Sequence, residues 1–133
     1  MRLVLDTNVI VSGLLSPEQS PAQILRLVLN GKISILHDPR ILLEYERVLL
    51  RPKFNFPKKL VFELIHFLQD YGESIVAAPL HLEIPDLSDA PFIEIALSGK
   101  AEYLITGNLK HFPRNALKGL TVFSPTEFVR AIS

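Results

Sequence analysis

The chain has 133 residues, 48% of them hydrophobic and none of them cysteine, so it can bury the core of one domain and excludes a disulfide framework and any thiolate metal site. Its 14 basic and 14 acidic residues cancel, which removes the strongly basic balance of a general nucleic-acid binder. No basic stretch followed by a long apolar one marks a secretion signal, and no apolar run nears the roughly 20 residues of a membrane span; with the missing cysteines, this points to the cytoplasm and away from membranes.

Residues 2–6 read as a strand, short, aliphatic and without period, as a buried parallel strand should be. A helical stretch over 8–15 stops near Ser16-Pro17, and a second helix over 20–30 carries Pro21 in its first turn and Gly31 at its end. A short strand over 33–36 leads to Asp38, which caps a helix beginning at Pro39 and closing at Arg51-Pro52. Another helix covers 58–71, ended by Gly72, and a strand covers 74–77. The proline-bearing loop 79–87 precedes a helix over 88–98, closed by Gly99. Residues 102–106 form a strand broken by Gly107-Asn108; 120–123 form the next, and 125–131 a last helix. Strands alternate with helices, so the expected fold is α/β, a single domain over 1–133 with a mainly parallel central sheet of four to five strands flanked by helices. Sites in such sheets form beyond the carboxyl ends of the strands. Asp6 stands at one such end, and Thr106, Gly107 and Asn108 at another.

Charge is unevenly spread. Residues 47–62 hold five basic side chains (Arg47, Arg51, Lys53, Lys58, Lys59) and no acid, and 103–126 hold Lys110, Arg114 and Lys118 and no acid. Residues 80–99 hold Glu83, Asp86, Asp89 and Glu94 and no Lys or Arg. Such runs are as often a solvated surface as a binding face.

Each acid has a structural reading beside a chemical one. Asp6 is well placed as the cap of the following helix. On the helix from Pro39, the apolar face of Ile41, Leu42, Tyr45, Val48 and Leu49 puts Glu44 on one rim and Glu46 on the other, so spacing does not choose between them. Asp86 and Asp89 flank a helix start, where the dipole favours acids. Asp89 shares a face with Phe92, Ile93 and Ala96, which turns it toward the protein body, whereas Glu94 reads as solvated. Together these acids suggest a site for a hard cation such as Mg²⁺ or Mn²⁺, which prefer oxygen ligands. The four histidines have no zinc-like spacing, and no phosphate-loop, nucleophile-elbow or dinucleotide motif is present.

RLVLDTNVIVSGLL at the start, LLEYERVLLRPKF over 42–54 and PDLSDAPFIEIALSGKAEYLITGN over 85–108 resemble, in order and spacing, the motifs of PIN-domain ribonucleases, in particular the bacterial and archaeal toxins of VapBC-like toxin–antitoxin pairs. The resemblance spans nearly the whole chain. It selects Glu44 over Glu46 and implies Asp6, Glu44 and Asp89 as metal-holding acids, with Asp86 as a fourth catalytic acid. Asn8, Thr106 and Asn108 would orient acids or water. The activity implied is Mg²⁺- or Mn²⁺-dependent hydrolysis of RNA phosphodiesters, with an antitoxin protein as partner and a homodimer as the expected assembly. Arg47, Arg51, Lys53, Lys110 and Arg114 are the basic residues expected to flank the pocket and hold the RNA backbone. Many relatives carry an acid where this chain has Asn108; that departure implies one well-held cation and supports the alternative, a non-enzymatic module that binds RNA or protein. A haloacid-dehalogenase motif would need a second acid at Asn8.

Overall fold

The computed structural model describes residues 1–114, 117 and 119–133; Lys118, counted above among the basic residues, lies outside them. Among the described residues, five strands form one all-parallel sheet: β1 (Arg2–Leu5), β2 (Ser34–His37), β3 (Glu73–Ser74), β4 (Tyr103–Ile105) and β5 (Val122–Phe123), in spatial order β3-β2-β1-β4-β5. Among the described residues, six α-helices flank it: α1 (Thr7–Leu15), α2 (Ser20–Leu29), α3 (Pro39–Leu49), α4 (Lys58–Tyr71), α5 (Ala90–Ser98) and α6 (Pro125–Ile132).

The aliphatic strand residues form the core. Leu3, Val4, Leu5, Ile35, Leu36, Leu104 and Ile105 are fully buried, as a sheet covered by helices requires. The helix starts follow local chemistry. Asp38 accepts from the Ile41 N–H at 3.0 Å and Pro39 opens α3. Ser124 and Glu127 form a reciprocal capping box on α6. Gly31, at φ +77°, takes the left-handed position just after α2, where a side chain would be strained.

Three expectations need correcting. The strand expected over 74–77 pairs only at Glu73–Ser74, and the one over 120–123 only at Val122–Phe123; these are the two edges, where one side of the ladder has no partner. The helix expected from residue 88 starts as a 3₁₀ turn over Leu87–Asp89 before α5. Two further 3₁₀ turns, Pro52–Phe54 and Leu109–His111, shape the surroundings of the site.

The strand order places the site. From β1 the chain moves outward through β2 to β3, then returns to β4 on the other side of β1. The connections leaving β1 and β4 therefore diverge and open a crevice beyond their carboxyl ends, where open α/β sheets bind ligands. Asp6 follows β1 and Thr106 follows β4. Among the described residues, no helix is long and apolar enough to cross a membrane.

Candidate active site at the β1/β4 crevice

Asp6 is the pivot. It caps α1, with Oδ1 accepting from the Thr7 N–H at 2.8 Å. Its Oδ2 accepts from the Thr106 hydroxyl at 2.8 Å and from the Asn8 amide at 3.1 Å. Asn8 reaches back across the crevice, where its Oδ1 accepts from the Gly107 N–H at 2.9 Å. A Cβ at position 107 would sit 3.1 Å from that oxygen, so glycine lets the two loops close on each other. The Asn108 N–H donates in turn to Thr106 Oγ at 3.0 Å. The D-T-N and T-G-N triplets are thus two halves of one hydrogen-bonded lock, and Asp6 is held rigidly with only 7% of its surface exposed.

Around it opens a cavity of about 340 Å³ whose walls include Asp6, Asn8, Asp86, Asp89, Asn108 and His111. Glu44 joins from α3 by accepting a hydrogen bond from the Thr7 hydroxyl. One residue on, the buried Tyr45 hydroxyl donates to the Leu5 carbonyl, which fixes α3 against β1. Asp86 sits at the rim, its Oδ1 accepting from Ser88 N–H and Oγ at 2.9 and 2.7 Å. Asp89, 9% exposed, is paired with His111 Nδ1 at 3.0 Å. Asp86, Asp89 and His111 each offer a ligand atom, all within 4.8 Å of one another.

The electrostatics follow from burial and crowding. Burial pushes the Asp6 carboxyl up to about 6, the charges of Asp89 and Glu44 add to the rise, and the bonds from Thr106 and Thr7 oppose it. Burial likewise raises Asp89, with Asp86 and Glu44 adding and His111 opposing. Asp86 moves the other way, lowered by its two bonds from Ser88. Among the described residues, no Lys or Arg forms an ion pair with Asp6, Glu44, Asp86 or Asp89. Among the described residues, the basic side chain paired with any of the four acids is His111, at Asp89, so they remain an oxygen-rich donor set that fits a divalent cation.

The expected basic residues are placed unequally. Arg51 lines the cavity, beside Val48 and Phe54. Lys53 lies over the Phe54 ring, 5.1 Å from its centre. Arg47 and Lys110 are exposed and outside the cavity wall. Arg114 pairs with Glu127, at the start of α6. Glu94, read from the sequence as solvated, is instead 7% exposed, with Oε1 accepting from Arg40 at 2.7 Å and Oε2 from the Leu80 N–H at 2.9 Å. His111 was not singled out from the sequence. Its signal is its place three residues after Asn108, in a 3₁₀ turn anchored by the fully buried Phe112.

No curated protein matches the chain in sequence. Among solved structures, it resembles the crystal structure of VapBC2 from Rickettsia felis bound to a DNA fragment from their promoter, at 18% identity over 93% of this chain and 98% of that one, with a TM-score of 0.60, a likeness of fold. Residues 2–110, which contain β1 through β4 and every acid of the crevice, match the family described as PIN domain, and the chain belongs to that family.

Proposed function

We propose that this protein is a divalent-metal-dependent endoribonuclease acting as the toxin of a toxin–antitoxin pair. The observation that carries the reading is the convergence of Asp6, Asp86 and Asp89 on one cavity, with Glu44 tied in through Thr7 and Arg51 on the wall. Asp6, Glu44 and Asp89 would hold the cation, Mg²⁺ or Mn²⁺, with Asp86 assisting from the rim. A cation bound there supplies positive charge against phosphate oxygens and makes water acidic enough to attack near neutral pH.

The chain's own residues do the rest. Thr7, Asn8 and Thr106 fix the orientation of Asp6 by donating to both of its carboxylate oxygens. Asn108 offers an amide that can accept from or donate to a water. Arg51 and Lys53 hold the RNA backbone beside the cavity, with Arg47, Lys110 and Arg114 as outlying contacts. Hydrolysis adds the water oxygen to phosphorus, breaks the bond from phosphorus to the 3′ oxygen and returns a proton to that oxygen. The products are a 5′-phosphate and a 3′-hydroxyl.

The fold likeness to a VapBC2 structure supports a cognate antitoxin as the protein partner; a homodimer is the proposed assembly. The test is incubation of single-stranded RNA with the purified protein and Mg²⁺ or Mn²⁺, followed by end mapping. We expect 5′-phosphate ends, no cleavage with chelator and cleavage lowered about 10²–10³-fold in Asp6→Asn. Cleavage that survives chelation, cyclic-phosphate ends, or full activity in Asp6→Asn would contradict the reading. RNA binding without cleavage under any divalent metal would favour the non-enzymatic module, for which the uncharged Asn108 in the cavity wall is the supporting observation.

A further inference from the structure

Resting on the metal-dependent reading of this crevice, we infer that His111 is a nitrogen ligand of the bound cation, so that the site selects Mn²⁺ and other first-row transition ions over Mg²⁺. The ligand set proposed above then gains His111, on the side of the cavity that holds Asp86 and Asp89. The spacing carries this. A cation holding its ligands at about 2.1 Å puts neighbouring ligand atoms roughly 3–4 Å apart. The ligand atoms of Asp86, Asp89 and His111 already lie within 4.8 Å of one another, near that spacing. All three line the same cavity as Asp6.

The imidazole is also built into place. The Leu109–His111 turn closes with the His111 N–H donating to the Asn108 carbonyl at 3.1 Å. Phe112, the next residue, is fully buried and pins that turn to the core. His111 is thus carried on the same lock that joins Asn108, Thr106 and Asp6. The other histidines do not line this cavity: His37 is buried at the end of β2, and His66 and His81 are exposed on α4 and the 79–87 loop. A nitrogen among oxygen ligands shifts preference along the Mn²⁺-to-Zn²⁺ series and away from Mg²⁺, which keeps to oxygen donors.

The decisive measurement is pulsed electron paramagnetic resonance of Mn²⁺ bound to tag-free protein, which detects nitrogen coupled to the ion. The wild type should show ¹⁴N coupling, and His111→Gln should lose it. Titration calorimetry should show the Mn²⁺-over-Mg²⁺ preference falling about tenfold in His111→Gln, chiefly through weaker Mn²⁺ binding. His111→Asp should regain affinity for Mg²⁺ by supplying an oxygen ligand. Bound Mn²⁺ without nitrogen coupling in the wild type, or an unchanged metal preference in His111→Gln, would overturn the inference and leave His111 as a hydrogen-bonding support for Asp89. No Mn²⁺ binding at all would overturn it together with the metal-dependent function, so the two failures are told apart.

Discussion

Asp6 and Asp38 hold the same post in neighbouring βα units. Each follows a parallel strand, caps the next helix and is 7% exposed. Their surroundings differ in one respect. Asp38 Oδ2 accepts from the Arg40 guanidinium at 2.8 Å, and the same guanidinium reaches Glu94, so a cation of the protein's own bridges the two carboxylates. Asp6 meets only neutral donors (the Thr7 N–H, the Asn8 amide and the Thr106 hydroxyl) while Asp89 and Glu44 crowd it with like charge. Capping is common to both, so capping does not explain Asp6. Asp38 has an arginine as direct partner and Asp6 has none, and the proposed metal-holding role of Asp6 rests on that difference.

The largest effect that should sharpen this contrast is on activity. Asp6→Asn should lower RNA cleavage by about 10²–10³-fold, the scale of losing one preorganised electrostatic group, measured in single-turnover assays. Arg40→Met attacks the other cluster and should leave chemistry nearly intact. It strands Glu94 and Asp38 without their counter-charge, and because Arg40 is half-exposed we expect a loss of about 1–3 kcal/mol, below the full cost of breaking a buried pair. Denaturant unfolding measures it. A stable Arg40→Met protein would mean that the ion cluster is incidental.

The two clusters should also titrate in opposite directions. The folded Asp6 carboxyl stands at about 6 against an ordinary value of 3.8, so it favours the folded state fully below pH 3.8, and that contribution is lost as pH rises through 6. Metal-free stability should therefore rise as pH falls from 7 to about 4, by at most about 3 kcal/mol. Burial works against ionised Glu94, but the bonds from Arg40 and Leu80 outweigh it and hold the carboxyl below its ordinary 4.5. Its contribution is present above 4.5 and is lost as pH falls further. The stability profile should peak in mild acid; Asp6→Asn should flatten its neutral limb, and Arg40→Met its acid limb.

Much of this contrast was legible in the sequence, but not all. Asp38-Pro39 announces a helix start by local chemistry alone, and the aliphatic strands announce a buried parallel sheet. Asp6 could be read equally as cap or as ligand, because the feature that decides, the lack of a basic neighbour, depends on residues 38 to 100 positions away. Glu94 was misjudged for the same reason: Arg40 is 54 residues earlier. His111 was invisible as a partner of Asp89 because a 3₁₀ turn, set by the burial of Phe112, aims it. Edge strands were overdrawn because β-branched residues signal extended chain whether or not a neighbouring strand exists to pair with.

The smallest predicted effects concern the basic residues. Arg51→Ala should weaken RNA binding about tenfold and reduce the salt slope by about 0.7, the value for one phosphate contact on a single strand. Arg114→Ala should cost threefold or less, because that guanidinium is shared with Glu127, and its exposed ion pair adds at most about 1 kcal/mol to stability. Filter binding across a salt series separates them.

The central claim, that the carboxylates of the β1/β4 crevice are kept for a cation, is tested most directly by the melting temperature of chelator-treated protein at pH 7, with and without Mn²⁺, for the wild type and Asp6→Asn. The account predicts that Mn²⁺ at 100 times its Kd stabilises the wild type by about 2.7 kcal/mol. It also predicts that Asp6→Asn melts higher than the wild type without metal and gains little when Mn²⁺ is added. A wild type indifferent to Mn²⁺, with an Asp6→Asn protein that melts well below it, would show that Asp6 is a helix cap like Asp38 and contradict the account.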